Sequence, residues 1–105
     1  MVHFLHWNLM AEEAKQIMDS EDGYIILDVR NQEEFDQENI HGAILIPDTE
    51  IKVRAEEVLT DKDQLLLVYC RSGRRSKLAE EALVELGYTN IKEFGGIIDW
   101  PYETE

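Results

Sequence analysis

The chain is poor in the residues that carry covalent and metal scaffolds: one cysteine, two prolines and three histidines in 105 residues. A single thiol makes no internal disulfide. Cys70 is therefore a small core residue or a thiol kept for chemistry, and a reducing compartment is expected. His3, His6 and His41 show no ligand spacing with the cysteine, so no zinc site is expected. Basic residues are also scarce, 10 Lys and Arg against 23 Asp and Glu, for a net charge of −13. That balance excludes nucleic-acid binding by bulk electrostatics, which needs a basic face. It reads as a solubilising surface, with the docking of a basic partner as the minority use. No apolar run approaches the ~18–20 residues that span a bilayer, so no membrane partner is expected. The opening "MVHFLHWNLMAEE" has neither the basic nor the long apolar segment of a signal peptide. The cytoplasm is the expected location, and residues 1–105 are expected to form one domain with a core of its own.

What is present is an alternation of strand-like and helix-like segments. "VHFLHW" reads as a short first strand. "AEEAKQIM" follows with Ala14, Ile17 and Met18 at helical spacing. "YIILDVR" reads as a buried strand ending at Asp28. "NQEEFDQ" suits a short helix, with Asn31 as N-cap and Glu34 three residues on. "GAILIP" is a short apolar run, and "DTEIKVRAEEVL" a modest helix. "QLLLVYC" is a continuous apolar run, suited to the centre of a parallel sheet. The next helix carries Leu78, Ala79, Ala82, Leu83 and Leu86 on one stripe, with Gly87 as its C′ residue. "NIKEF" is a last strand, and "GGIIDWP" a turn and cover. This order predicts an α/β fold, a mostly parallel central sheet of about five short strands flanked by helices. Ligands of such sheets bind beyond the carboxyl ends of the strands.

"VYCRSGRRS" lies at such an end. Three of the chain's ten basic residues, Arg71, Arg74 and Arg75, stand within five positions of the only thiol. Gly73 permits a tight turn, whose successive amides would form a nest for an anion. The helix that follows adds free N–H groups and the positive end of its dipole. Backbone and arginines together favour a thiolate over a thiol, so Cys70 is expected to ionise below the ordinary ~8.5. The candidate site is Cys70 with Arg71, Ser72, Gly73, Arg74 and Arg75. Arg74 and Arg75 are adjacent, so one of them can point away. Ser76 reads as an N-cap and Ser72 as a turn residue.

These residues resemble the rhodanese family. "LLLVYCRSGRRSKLAEEALVELGYTNIKEFGGIIDWP" is similar to its catalytic half, and "YIILDVRNQEEFDQENIHGAILIP" to its first signature. "FGGIIDW" is similar to its closing segment. The resemblance implies a three-layer rhodanese-like fold and a sulfurtransferase that needs no cofactor. Cys70 would take sulfane sulfur from a small anionic donor such as thiosulfate, releasing sulfite. The resulting persulfide would pass its sulfur to cyanide or to a small-molecule or protein thiol. Residues 71–75 would hold the persulfide through their amides, and Arg30, in the "DVR" match, either receives the donor or forms a structural salt bridge. The chain departs from the family where Asn39 and His41 replace the usual histidine and proline. Two rivals stay open: a non-catalytic or sulfur-carrier interaction module, and a cysteine-dependent phosphatase or arsenate reductase. The phosphatase loop is one residue longer and needs an arginine where this chain has Ser76.

Overall fold

The computed structural model describes residues 2–105, with side chains from Met10 onward. Four strands form one sheet in the order β2-β1-β3-β4: β1 (Tyr24–Asp28), β2 (Ile44–Leu45), β3 (Leu65–Cys70) and β4 (Ile91–Gly96). Every pairing is parallel. The helices are α1 (Val2–Ser20), α2 (Gln32–Gln37), α3 (Ile51–Val58) and α4 (Arg74–Glu85), with single 3-10 turns at Asp48–Glu50 and Ile97–Asp99.

The expected α/β architecture is found, with one strand fewer. "VHFLHW" lies within α1 and is not a strand. The helix-forming "AEEAKQIM" segment supplies a nucleus, and extending an existing helix is far cheaper than starting a separate element. The capping box at α2 is also found. Asn31 Oδ1 accepts from the Glu34 amide at 2.8 Å, and Glu34 Oε1 accepts from the Asn31 amide at 3.2 Å. The stripe on α4 is narrower than expected: Ala79 and Leu83 are buried, whereas Leu78 is 51% exposed. The helix begins at Arg74, two residues before the Ser76 start expected from the sequence, and its buried face runs through Ala79 and Leu83, with Leu78 at the edge.

The alternation of a strand sorts the central run between two cores. Leu66, Val68 and Cys70 face α3 and α4, with Ile51, Ala55, Ala79 and Leu83. Leu67 and Tyr69 face α1, with Ala11, Ala14, Phe94 and Trp100. The thiol at the end of β3 is thereby aimed to the side on which α4 starts.

The carboxyl end of the sheet is fixed by a buried ion pair. Asp28, fully buried, receives Nη2 of Arg30 at 2.7 Å and Nε at 3.0 Å, together with the Arg30 backbone amide at 2.9 Å. The guanidinium also donates to the Glu38 carbonyl and lies over the Tyr69 ring. Removing one member of such a pair strands the other charge in the interior. Asp28→Ala is therefore expected to lose about 3–5 kcal/mol of stability, read as a drop in the denaturant midpoint at unchanged slope. A loss of under about 1 kcal/mol would mean that the pair behaves as a surface salt bridge.

Candidate functional site

The loop between β3 and α4 closes on the thiol. Gly73, at φ 104°, is the N-cap of α4, a left-handed geometry that L side chains rarely adopt. The turn it makes brings its own amide to 3.0 Å from Cys70 Sγ, donating to the sulfur. The next amides, those of Arg74, Arg75 and Ser76, open the helix, where no carbonyl of the same helix lies in range of them. Cys70 itself is 1% exposed. Arg71, Ser72 and Arg74 are exposed around it.

The loop rests on β4. Between Val68 and Cys70 the register slips by one residue, so that Val68 faces Glu93 and Cys70 faces Gly96. The extra residue is a bulge, with Gly95 at φ 97°. The carbonyl of Arg71 and Cα of Ser72 sit over Gly96, and a Cβ there would come within 2.1 Å of that oxygen. Gly96 is thus required by contact, since the backbone of the loop occupies the place of a side chain, whereas Gly95 is required by its left-handed backbone. The Arg71 carbonyl also accepts from the Ile98 amide at 3.2 Å, which pins the loop to the closing turn.

The arginines divide. Arg75 is turned toward α2 and holds Glu34 in a fork, Nη1 to Oε1 at 2.7 Å and Nη2 to Oε2 at 2.9 Å. Its hydrogen bonds hold the Glu34 carboxyl down to about 2. Arg71 and Arg74 have no ion-pair partner among the described residues. Arg71 lines a cleft of about 770 Å³ beside the loop, with Arg30, Glu34, Glu38, Ile97 and Ile98. Arg30 thus stands on the wall of this cleft while committed to Asp28.

Ser76 is not the N-cap that its sequence position suggests. It lies in the first turn of α4, fully buried, with its hydroxyl 3.4 Å from Cys70 Sγ, 3.0 Å from the Gly73 carbonyl and 2.7 Å from Glu93 Oε2. Glu93 was not singled out from the sequence. It reaches Ser76 because its strand neighbour is Val68, which faces the same side as Cys70. The sequence gives little sign of it, a carboxylate beside Lys92 in a short strand, and the pairing with Val68 that sets its direction is not legible there. His41 lies away from the loop, its Nδ1 2.7 Å from Glu105 Oε1. The side chains of His3 and His6 fall outside the described residues. Among the described residues no group of His, Cys, Asp or Glu is placed to hold a metal ion.

A model of the Rhodanese-like domain matches residues 10–101. The chain is 44% identical over 73 residues to the thiosulfate sulfurtransferase PspE of Escherichia coli, an alignment covering 70% of each protein. It is 38% identical over 98 residues to the putative sulfur carrier protein YrkF of Bacillus subtilis, covering 92% of this chain and 52% of that one. Among solved structures it is similar to a rhodanese with anions from E. coli, with a TM-score of 0.73 and 39% identity, over 78% of this chain and 96% of that one.

The Glu34–Arg75 fork has a pH signature. Its pairing depresses Glu34 from 4.5 to about 2. The stability it confers is therefore complete above the unfolded carboxyl's range and is lost as pH falls through the folded value. Arg75→Ala is expected to be less stable than the wild type at neutral pH, with the gap closing between pH 4.5 and about 2. Parallel acid-denaturation curves with a gap independent of pH would contradict this assignment.

Proposed function

The chain belongs to the Rhodanese-like domain family, and we propose that it is a thiosulfate-type sulfurtransferase working through a persulfide on Cys70. The observation that carries this reading is the thiol buried at the end of β3 with a loop amide donating to its sulfur and the start of α4 above it. An electron pair on Sγ attacks the outer sulfur of thiosulfate. The bond between the two thiosulfate sulfurs breaks, and sulfite departs with its electron pair. Cys70 is left as an anionic persulfide. In the second half, a cyanide or thiolate acceptor attacks the outer sulfur, the persulfide bond breaks, and the Cys70 thiolate returns. This is covalent catalysis in two steps with no cofactor.

The amides of residues 71–75 serve the anion in both halves, since fixed backbone dipoles in a water-poor pocket need no reorganisation when charge arrives. Arg71 and Arg74, without acidic partners, attract the anionic donor against the acidic background of the chain. Arg75 acts indirectly, holding the start of α4 against α2. Arg30 serves the cleft wall, its charge already balanced by Asp28. Ser72 and Gly73 supply backbone. Residues 1–105 act in this reading as one domain. A reduced Cys70 suits the cytoplasm. Among the described residues no helix is long and apolar enough to cross a membrane.

A sulfur-carrier role shares the first half-reaction and differs only in the acceptor, here a protein thiol. The likeness to a putative sulfur carrier favours keeping it. The phosphatase reading is disfavoured by the loop itself. A buried hydroxyl on Sγ occupies the position where a phosphate-binding arginine would be needed.

Incubation with thiosulfate is expected to add the mass of one sulfur, reversible by reductant or cyanide, and Cys70→Ser is expected to abolish it. A wild-type protein that gains no mass and turns over no thiosulfate with cyanide would defeat the sulfurtransferase reading. Arg71→Ala is expected to raise KM for thiosulfate more than it lowers kcat, and to weaken the salt dependence of kcat/KM. An unchanged KM would remove Arg71 from donor capture.

A further inference from the structure

The hydroxyl of Ser76 has one proton and more than one claimant. Glu93 Oε2 is at 2.7 Å, the Gly73 carbonyl at 3.0 Å, Cys70 Sγ at 3.4 Å and the Gly95 carbonyl at 3.5 Å. Glu93 Oε2 is meanwhile fixed by the Gly95 amide at 2.6 Å. A serine hydroxyl donates once and accepts through its lone pairs. If Cys70 were a thiolate and Glu93 a carboxylate together, either the contact to sulfur or the contact to Oε2 would face acceptor against acceptor. Ser76 is fully buried, so that mismatch falls where an unmet hydrogen-bonding group is most expensive. One further proton in the array resolves it.

We infer that Cys70, Ser76 and Glu93 form an array that carries one mobile proton, held on the sulfur at rest and on the Glu93 carboxyl when the sulfur is the nucleophile. At rest the thiol donates to Ser76 Oγ, and Ser76 donates to Glu93 Oε2. On activation the thiol proton passes to Ser76 Oγ while the Ser76 proton passes to Oε2, which leaves the hydroxyl donating to the thiolate and accepting from the Glu93 carboxyl. No atom is gained or lost, and the charge moves from carboxylate to sulfur. Ser76 touches the reacting atom; Glu93 acts through it and is a positioning residue that doubles as proton store.

The use of this array in turnover rests on the sulfurtransferase reading. A neutral Glu93 would remove a negative charge from beside the anionic persulfide, and it would return the proton when the acceptor releases the Cys70 thiolate. Other charged groups surround the array. Arg75 acts electrostatically on Cys70 and is held by Glu34, with Asp48 near it. On α4, Glu80 is pushed up by burial and then by the charge of Glu93, with Glu81 adding to it and Lys77 opposing. Lys77 shares a cleft wall with Glu93, and Lys92 is paired with Glu13 of α1.

The test is the rate of Cys70 alkylation by iodoacetamide as a function of pH, on the intact protein without any sulfur donor. Two groups sharing a proton titrate in two macroscopic steps that belong to the pair. The wild type is expected to show two inflections, and Glu93→Gln, which keeps the acceptor oxygen but stores no proton, is expected to lose one of them. Glu80→Gln is expected to keep both. Ser76→Ala is expected to bring the two inflections closer together. A single wild-type inflection overturns the inference, whether Glu93→Gln leaves it in place or merely displaces it as a fixed charge would. So do two inflections that survive in Glu93→Gln. The wild-type profile stands by itself if a variant fails to fold. Failure of sulfur loading would appear in the mass measurement and leave this titration unaffected, so the two readings fail separately.

Discussion

The bond from the Gly73 amide to Cys70 Sγ sets the geometry of everything around it. For an amide three residues on to point back at the sulfur, the chain must reverse immediately after β3, and the left-handed glycine makes that reversal. The reversal in turn drives the Arg71 carbonyl and Ser72 down onto β4, where only a residue without a side chain leaves room. It also starts α4 directly over the strand end, which brings the Ser76 hydroxyl into the core beside the thiol. The loop amide, the helix start and the buried hydroxyl are consequences of one closure and not independent additions to a cysteine.

The sheet decides what this closure can reach. All four strands are parallel, so their carboxyl ends gather on one side, and β1 delivers Asp28 and Arg30 to the same rim as Cys70. Strand alternation then separates functions by face. Cys70 and Glu93 turn toward α4, whereas Tyr69 and Phe94 turn toward α1 and pack at 5.6 Å between ring centres. The bulge at Gly95 acts beyond these residues and sets what lies opposite Cys70. Without the extra residue β4 would continue in register past Val68, and the residue opposite Cys70 would be Gly95 instead of Gly96, with the side chains beyond the slip sent to the opposite face.

Much of this was legible in the sequence because local rules and tertiary packing agree. The Asn31–Glu34 box, the Gly87 stop and the buried run ending at Cys70 each follow from a pattern a few residues long. The errors fall where something outside the short pattern decides the outcome. "VHFLHW" has the composition of a strand, yet it is continuous with a strong helix-forming segment and takes its state from that neighbour. Leu78 belongs to the stripe by spacing, but the face that packs on the sheet runs through Ala79 and Leu83 and leaves Leu78 at its edge. Ser76 and Glu93 are 17 positions apart. No local pattern joins them, because their meeting depends on the pairing of β4 with β3 and on the first turn of α4. Arg75, adjacent to Arg74 and identical in type, is separated from it only by the position of Glu34 on α2.

The net charge of −13 remains to be reconciled with a site built for anions. The two act at different ranges. Charges farther from the loop than about 8 Å are largely screened at physiological salt, so the acidic exterior weakly opposes approach. Within the loop the field is made by amides and by Arg71 and Arg74, which have no partner to neutralise them among the described residues. The acidic residues nearest the thiol are each constrained: Glu34 by Arg75, Asp28 by Arg30, and Glu93 by Ser76 and the Gly95 amide. Two of these carboxylates are balanced by arginine. Glu93 is held by neutral donors alone, which leaves it as the acidic group near Cys70 whose charge can change without leaving an arginine unpaired.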